Sequence, residues 1–204
     1  ANQLQIDAIL SSINRIAGST EFQGKKLLSG ELDYTTSGIS STDFADVDIL
    51  GARIAEGASR SVVVQVTGSA ELASLTYTGT ATQSGTTTTI EVAGRIGTET
   101  LSFGSGSSIA AIASAVNAVK ELTGVSASVV SAGLLDFNSV EYGSKQFVQV
   151  RALQGTFNVT GGDAGDDKDK GVDATVLING VQANVDGLRA RLNSTVLSID
   201  LTLS

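Results

Sequence analysis

Ile6, Ile9, Ile13 and Ile16 recur at spacings of three, four and three, and Leu10 and Ala17 widen the stripe. This spacing predicts a helix over residues 3–17 with a heptad-like seam, the pattern by which one helix packs along another. An ordinary core helix lying on a sheet is the alternative reading. Gly18 and Ser19 are expected to end the helix. A second helical period occupies residues 108–123, "SIAAIASAVNAVKELT", with Ser107 or Ser108 as its cap and Gly124 as its stop. Its Ile109, Ile112, Val116 and Val119 form one stripe, which suits a lone helix on a sheet. The first helix is thereby left without an evident partner.

Almost everything else reads as strands between Gly, Ser, Thr and Asn turns. Residues 61–68 and 74–80 are β-rich, and 86–94 with 98–104 suggest a hairpin turning at Gly97. Residues 125–131 form a strand after the second helix. Residues 146–153 and 155–161 look like a pair joined tightly at Gly155. Asn179-Gly180 lies between two β-prone runs, the strongest short marker of a two-residue hairpin. At the end, Leu197, Ile199, Leu201 and Leu203 alternate with Ser198, Asp200 and Thr202, as in a half-buried strand. Residues 30–60 are polar and loop-like, so a domain boundary is placed near residue 50, with a further division near 140. The predicted class is α+β, predominantly β: an orphan N-terminal helix, then hairpins with one packed helix at about 108–123.

Composition narrows the function classes. The chain has 204 residues, 41% apolar but only 4% aromatic, so its core is built from Val, Ile, Leu and Ala. Net charge is −8 with no block of Lys or Arg, which argues against nucleic acid and anionic membrane surfaces as partners. Cys, His, Met, Trp and Pro are absent. That removes disulfides, thiolate nucleophiles, Cys-ligated zinc and the commonest general base. There is no apolar run of roughly 18 residues and no charged-then-apolar leader. The missing Met implies processing or a fragment.

Candidate chemistry is sparse. "FGSGSS" (103–108) precedes a helix but lacks the remaining signature of a dinucleotide or nucleotide loop, and a turn with a helix cap accounts for it. Asp163, Asp166, Asp167, Asp169 and Asp173 cluster as hard oxygen donors. The calcium-loop spacing fails, because Ala174 or Ile178 stands where a Glu is required, and Lys168 and Lys170 compete with a cation. A solvated turn is the simpler reading. No Gly-x-Ser-x-Gly motif is present, and no cofactor or catalytic activity is expected. Asn158 and Asn193 each open an N-glycosylation triplet, a short pattern that arises often by chance.

The stretch "IDAILSSINRIAGSTEFQGKKLLSGELDYTTSG" resembles bacterial flagellin at the end of its N-terminal region. There a rod-domain helix runs into a Thr-x-Phe-Asn/Gln-Gly-x-Lys-x-Leu turn and a β-hairpin. The matching residues are Asn14, Arg15, Ile16, Thr20, Phe22, Gly24, Lys26 and Leu28. "TIEVAGRIGTETLSFGSGSSIAAIASAVNAVKELTGVSASV" is similar to a module inserted in many flagellins and hook-associated proteins: a strand pair, Gly-x-Ser-Ile entering a helix, Ala-Val-Asn within it, then Thr-Gly-Val into a strand. "VEYGSKQFVQVRAL" and "GVDATVLINGVQANVDGL" are similar to the segments C-terminal to that module in flagellins with large outer domains.

The resemblance implies a structural subunit of an extracellular filament, serving motility and exported without a cleaved signal. Residues 1–50 would be the distal end of the rod domain and 51–204 the outer variable domain, as a fragment lacking the terminal helices. Ile6, Ile9, Ile13 and Ile16 would pack between subunits. Implied partners are other flagellin subunits, with an export chaperone and the filament cap for the parent protein. Arg15 matches an Arg on the surface contacted by the flagellin-sensing innate immune receptor, and Ser12 stands where a Glu often precedes that Arg. The alternatives are a filament-cap or hook-associated protein, which shares the inserted module, and a surface adhesin or carbohydrate-binding β-domain. Three Tyr and six Phe supply few sugar-stacking surfaces for the adhesin.

Overall fold

The computed structural model describes residues 2–22, 25–26, 34–55, 57–80, 85, 87–162 and 167–204. The chain divides into two compact units, Ala1–Ser40 and Ser41–Ser204. In the first, α1 (Asn2–Ser19) leads to a short antiparallel pair, β1 (Glu21–Phe22) and β2 (Lys25–Lys26). The helix runs through Gly18 rather than stopping there. Its end is made at Thr20, whose Oγ1 and backbone N both donate to the Ile16 carbonyl, at 2.6 and 2.9 Å. The side-chain hydroxyl thus adds a second donor at the carbonyl that takes the last backbone bond of the helix, and no left-handed glycine is needed.

The second unit begins with β3 (Phe44–Ala52), β4 (Val64–Gly68), β5 (Ser74–Thr78), β6 (Thr88–Gly94) and β7 (Thr98–Phe103). Then come α2 (Ile109–Ala118), one turn of α3 (Lys120–Thr123), β8 (Val125–Ser131), β9 (Leu134–Ser139), β10 (Phe147–Gln154) and β11 (Val159–Thr160). The chain continues through β12 (Lys168–Lys170), β13 (Thr175–Ile178), β14 (Val181–Gln182), β15 (Asn184–Asp186), β16 (Arg189–Asn193) and β17 (Leu197–Leu203). The class is α+β and predominantly β, as the sequence pattern requires.

Two hydrophobic cores are nested in the second unit. The inner lobe packs the sheets β12-β10-β6-β7 and β11-β5-β9-β8 with α2, around Leu75, Ile90, Val92, Ile112, Val116, Leu135, Phe137, Val148 and Val150. The base lobe packs β14-β13-β4 and β15-β16-β17-β3 around Val176, Ile178, Ala190, Ile199 and Leu201. The chain builds β3 and β4 of the base, crosses to complete the inner lobe, and returns at β13. The expected boundary at residue 50 falls inside β3, which pairs along its length with β17. The division expected near 140 lies instead at the two crossings beside residues 71 and 172, where Glu71 and Val172 form an antiparallel bridge.

Several local expectations hold. Ser108 caps α2 by accepting from Ala111 N at 3.2 Å, and Gly124 ends α3 at φ 78°. Asn179 and Gly180 turn the β13–β14 hairpin with φ values of 51° and 78°, both positive as a type I′ turn demands. Leu197, Ile199, Leu201 and Leu203 face the base core. The predicted second helix breaks at Val119, which is only half-buried, so the buried stripe ends at Val116.

The pair expected at Gly155 is overturned. Strand β10 pairs with β6 and β12, whereas β11 pairs with β5 in the opposite sheet. Gly155, at φ 79°, turns the chain between the two sheets rather than closing a hairpin, with Thr88 pressed against it. Phe157 then reaches inward and stacks on Tyr77, their ring centroids 4.1 Å apart.

Candidate functional site

On α1, Ile6, Ile9, Ile13 and Ile16 are 49%, 59%, 54% and 54% exposed, and Leu4 and Leu10 are exposed beside them. Six large apolar side chains on one helix, all in contact with water, form a surface of the kind that marks an interaction site. Arg15 is exposed on the same helix. Of the flagellin-like turn, Gly24 and Leu28 lie outside the described residues.

Among the described residues, the acidic cluster is not gathered into one site. Asp163 and Asp166 lie outside the described residues. Asp167 faces Arg151 at 3.8 Å and accepts from Gln149 at 3.4 Å. Asp169 accepts from Ser74 N at 2.7 Å, tying β12 to β5. Asp173 turns to the lobe junction. Each described carboxylate therefore serves a different protein donor, and no group of metal-binding side chains forms among the described residues. Likewise "FGSGSS" is a turn and helix cap, with Ser107 N donating to Gly104 O at 3.2 Å. No described helix is long and apolar enough to cross a membrane, which says nothing of β-barrels.

The junction between the lobes is held by a half-buried carboxylate, Asp173, that serves three donors. Asp173 Oδ1 accepts from Ser144 N at 2.9 Å and from Gly187 N at 2.8 Å, while Oδ2 accepts from Ser144 Oγ at 2.5 Å. Burial works against its charge, but these bonds and nearby Lys145 outweigh it and hold its carboxyl below the usual Asp value. Gly143 packs so closely that a Cβ there would lie 2.7 Å from Gly187 Cα. Lys145 pairs with Asp186 across the junction. A cleft of about 540 Å³ opens alongside, lined from the inner lobe by Arg95, Tyr142 and Gln146 and from the base by Leu188, Arg189 and Thr202.

On the base, Asp200 is 8% exposed in the middle of β17. Arg189 grips it through Nε at 2.8 Å and a second nitrogen at 2.6 Å, and Arg191 adds a bond at 2.8 Å. The Arg189 bonds are the main cause that holds Asp200 below its usual carboxyl range; burial opposes them, and Arg191 assists. A group depressed in this way contributes stability above the unfolded Asp value of about 3.9 and loses it as pH falls through the folded value. Acid titration is therefore expected to leave the thermal midpoint flat down to about pH 5 and lower it steeply below about pH 4. A midpoint that rose on acidification, followed by circular dichroism, would contradict this assignment.

Within the inner lobe, residues 74–141 bring a strand, a hairpin, a helix and two more strands around one core. Asn117 joins α2 to β8: its Nδ2 donates to Ala127 O at 2.8 Å and its Oδ1 accepts from Ala127 N at 2.9 Å. Since β8 is the edge of its sheet, this side chain stands in for a missing neighbouring strand. The Ala-Val-Asn run noted in the sequence is legible as a motif, but this strand-mimicking role is not.

Residues 74–141 match the family model described as the flagellin hook IN motif. No curated protein sequence matches the chain. Among solved structures, the flagellar cap protein FliD D2–D3 domains from Serratia marcescens are similar at 14% identity and TM-score 0.52, over 79% of this chain and 92% of that one. The FliD D2–D3 domains from Escherichia coli are 20% identical over 78% and 92%, at TM-score 0.50. The longer FliD D1–D2–D3 chain from Escherichia coli is 19% identical over 81% of this chain and 53% of its own length, at TM-score 0.53. At these identities the likeness establishes a shared fold, and within that fold residues 74–141 match the flagellin hook IN motif.

Proposed function

We propose that this chain is an extracellular axial component of the bacterial flagellum, a structural subunit that works through packing surfaces rather than catalysis. The single observation that carries this reading is the flagellin hook IN motif at residues 74–141, set within a fold shared with flagellar cap proteins over most of the chain. That shared fold favours a filament-cap or hook-associated subunit over the filament subunit expected from the sequence. The solvated, acidic β-rich unit is its outward part, and the apolar face of α1 packs against helices of neighbouring subunits. Flagellin itself is kept as a second reading because residues 14–28 carry the flagellin-like turn.

Immunogold electron microscopy of the source cells, with antibody raised against this chain, separates the readings. Gold confined to the filament tip supports the cap, and gold at the base supports a junction protein. Label along the whole filament supports flagellin. Label on the cell body with bare filaments would sink the flagellar reading and favour an adhesin. A companion experiment tests α1. Ile9→Asp with Ile13→Asp removes two exposed apolar groups and no buried contact. The soluble double variant is expected to melt within about 2 °C of the parent, yet to be absent from purified flagella. Normal incorporation would show that the α1 seam is not an assembly surface.

A further inference from the structure

Asn179 is the only asparagine in the sequence followed by glycine, and it is the only non-glycine residue with positive φ among those described. An Asn-Gly pair is chemically labile because glycine offers no side chain to shield its amide nitrogen. That nitrogen, once deprotonated, attacks Asn179 Cγ; the new C–N bond forms as Cγ–Nδ2 breaks, and ammonia leaves with the proton. Water then opens the cyclic imide at either carbonyl, giving Asp or the isoaspartyl isomer. Both Asn179 and Gly180 are exposed, so water reaches the turn.

The fold holds this pair away from the reactive geometry. Asn179 Oδ1 accepts from Val63 N at 2.9 Å, and Asn179 N donates to Val63 O at 2.8 Å. The side chain is thus turned toward β4 and fixed there, while the turn keeps the backbone left-handed. Bringing Gly180 N onto Cγ requires both to be released.

We propose that Asn179-Gly180 is a latent deamidation site, locked by the docking of residue 63 and released when β4 separates from the β13–β14 hairpin. The consequence is asymmetric between the two products. Asp keeps an acceptor for Val63 N and leaves the turn intact. Isoaspartate routes the main chain through the side chain, adds a carbon to a two-residue turn, and breaks the register of Ile178 with Val181 and with Val64. Because Val176 and Ile178 are fully buried, that break reaches the base core. One local opening is thereby converted into permanent damage.

The test is peptide mass spectrometry of the full chain aged at mildly alkaline pH, natively and in urea. The native rate at Asn179 is expected to be at least about tenfold below the unfolded rate, the factor two ordinary hydrogen bonds supply. Equal rates would overturn the proposal. Val63→Pro deletes the donating N–H; if folded by circular dichroism, it should deamidate several-fold faster than the parent, and an unchanged rate would overturn the lock. Should that variant not fold, the wild-type chain decides through its urea dependence. Deamidation at Asn179 and hydrogen exchange at Val63 N should rise in parallel below the unfolding transition, and a flat deamidation rate beside rising exchange overturns the lock.

Discussion

Replacing Asp173 by Ala is expected to split the thermal unfolding of residues 41–204 into two transitions. The two lobes are joined by only two chain crossings, and Asp173 sits at one of them with a carboxylate that serves three donors. A hydrogen bond to a charged group contributes about 1.5–3 kcal/mol when buried. The junction is half-exposed and its donors can rehydrate, so about 3 kcal/mol for the set is the reasonable scale. The base lobe holds about 60 residues, so that corresponds to a fall of roughly 12–24 °C in the first transition. The inner lobe has its own core and should melt near its original temperature. Differential scanning calorimetry reads both quantities. A single, unshifted transition would mean that the clamp does not couple the lobes.

Two controls isolate the cause. Asp173→Asn keeps one acceptor oxygen and loses the charge, so it should fall between the parent and the Ala variant. Because the Asp173 carboxyl is held below its ordinary value, its contribution is complete above about pH 5 and disappears as pH falls through the folded value. The difference between parent and Ala variant should therefore shrink on acidification. Gly143 belongs to the same device. Its φ of 113° suits glycine alone, and Gly143→Ala would drive a methyl into Gly187 and Asp173.

Legibility in the sequence depends on range. Ser108, Gly124, Asn179-Gly180 and the alternation of residues 197–203 are signals within a few positions of one another, and each folds as its local chemistry dictates. Strand β3 was hidden because its period is broken. Phe44, Val47 and Ile49 face the core, but irregularities in register at Ala45 and Leu50 throw those two residues out of step, and Leu50 is 69% exposed. The irregularities, with Asp46 and Asp48 between them, also blunt an edge strand that would otherwise invite pairing. The nesting of the lobes was invisible for another reason. It rests on Glu71 meeting Val172 and on Asp173 meeting Ser144 and Gly187, contacts between residues with no periodicity to announce them. On α1 the seam was legible, and the structure leaves it bare.

Asn117→Ala should be the second large effect, and it tests the motif itself. The two bonds to Ala127 are the only ones that a side chain of α2 makes to β8 among the described residues. Removing the amide leaves the Ala127 N–H and C=O at a sheet edge under the helix, where Ala127 is 7% exposed. Water reaches them poorly, so the loss exceeds that of two surface bonds and should be about 2–4 kcal/mol. For a lobe of about 100 residues the expected fall in the inner-lobe transition is roughly 8–30 °C. Ser114→Ala, on the exposed side of the same helix, should leave it unchanged. Loss of the amide has a second consequence that simple destabilisation lacks. It reopens β8 as a template for another strand, so the variant should aggregate faster than other variants matched to it in melting temperature. Light scattering during incubation below the transition measures this. If the Asn117 variant aggregates no faster than a core variant of equal stability, the amide only fastens the helix, and the edge of β8 is protected by something else.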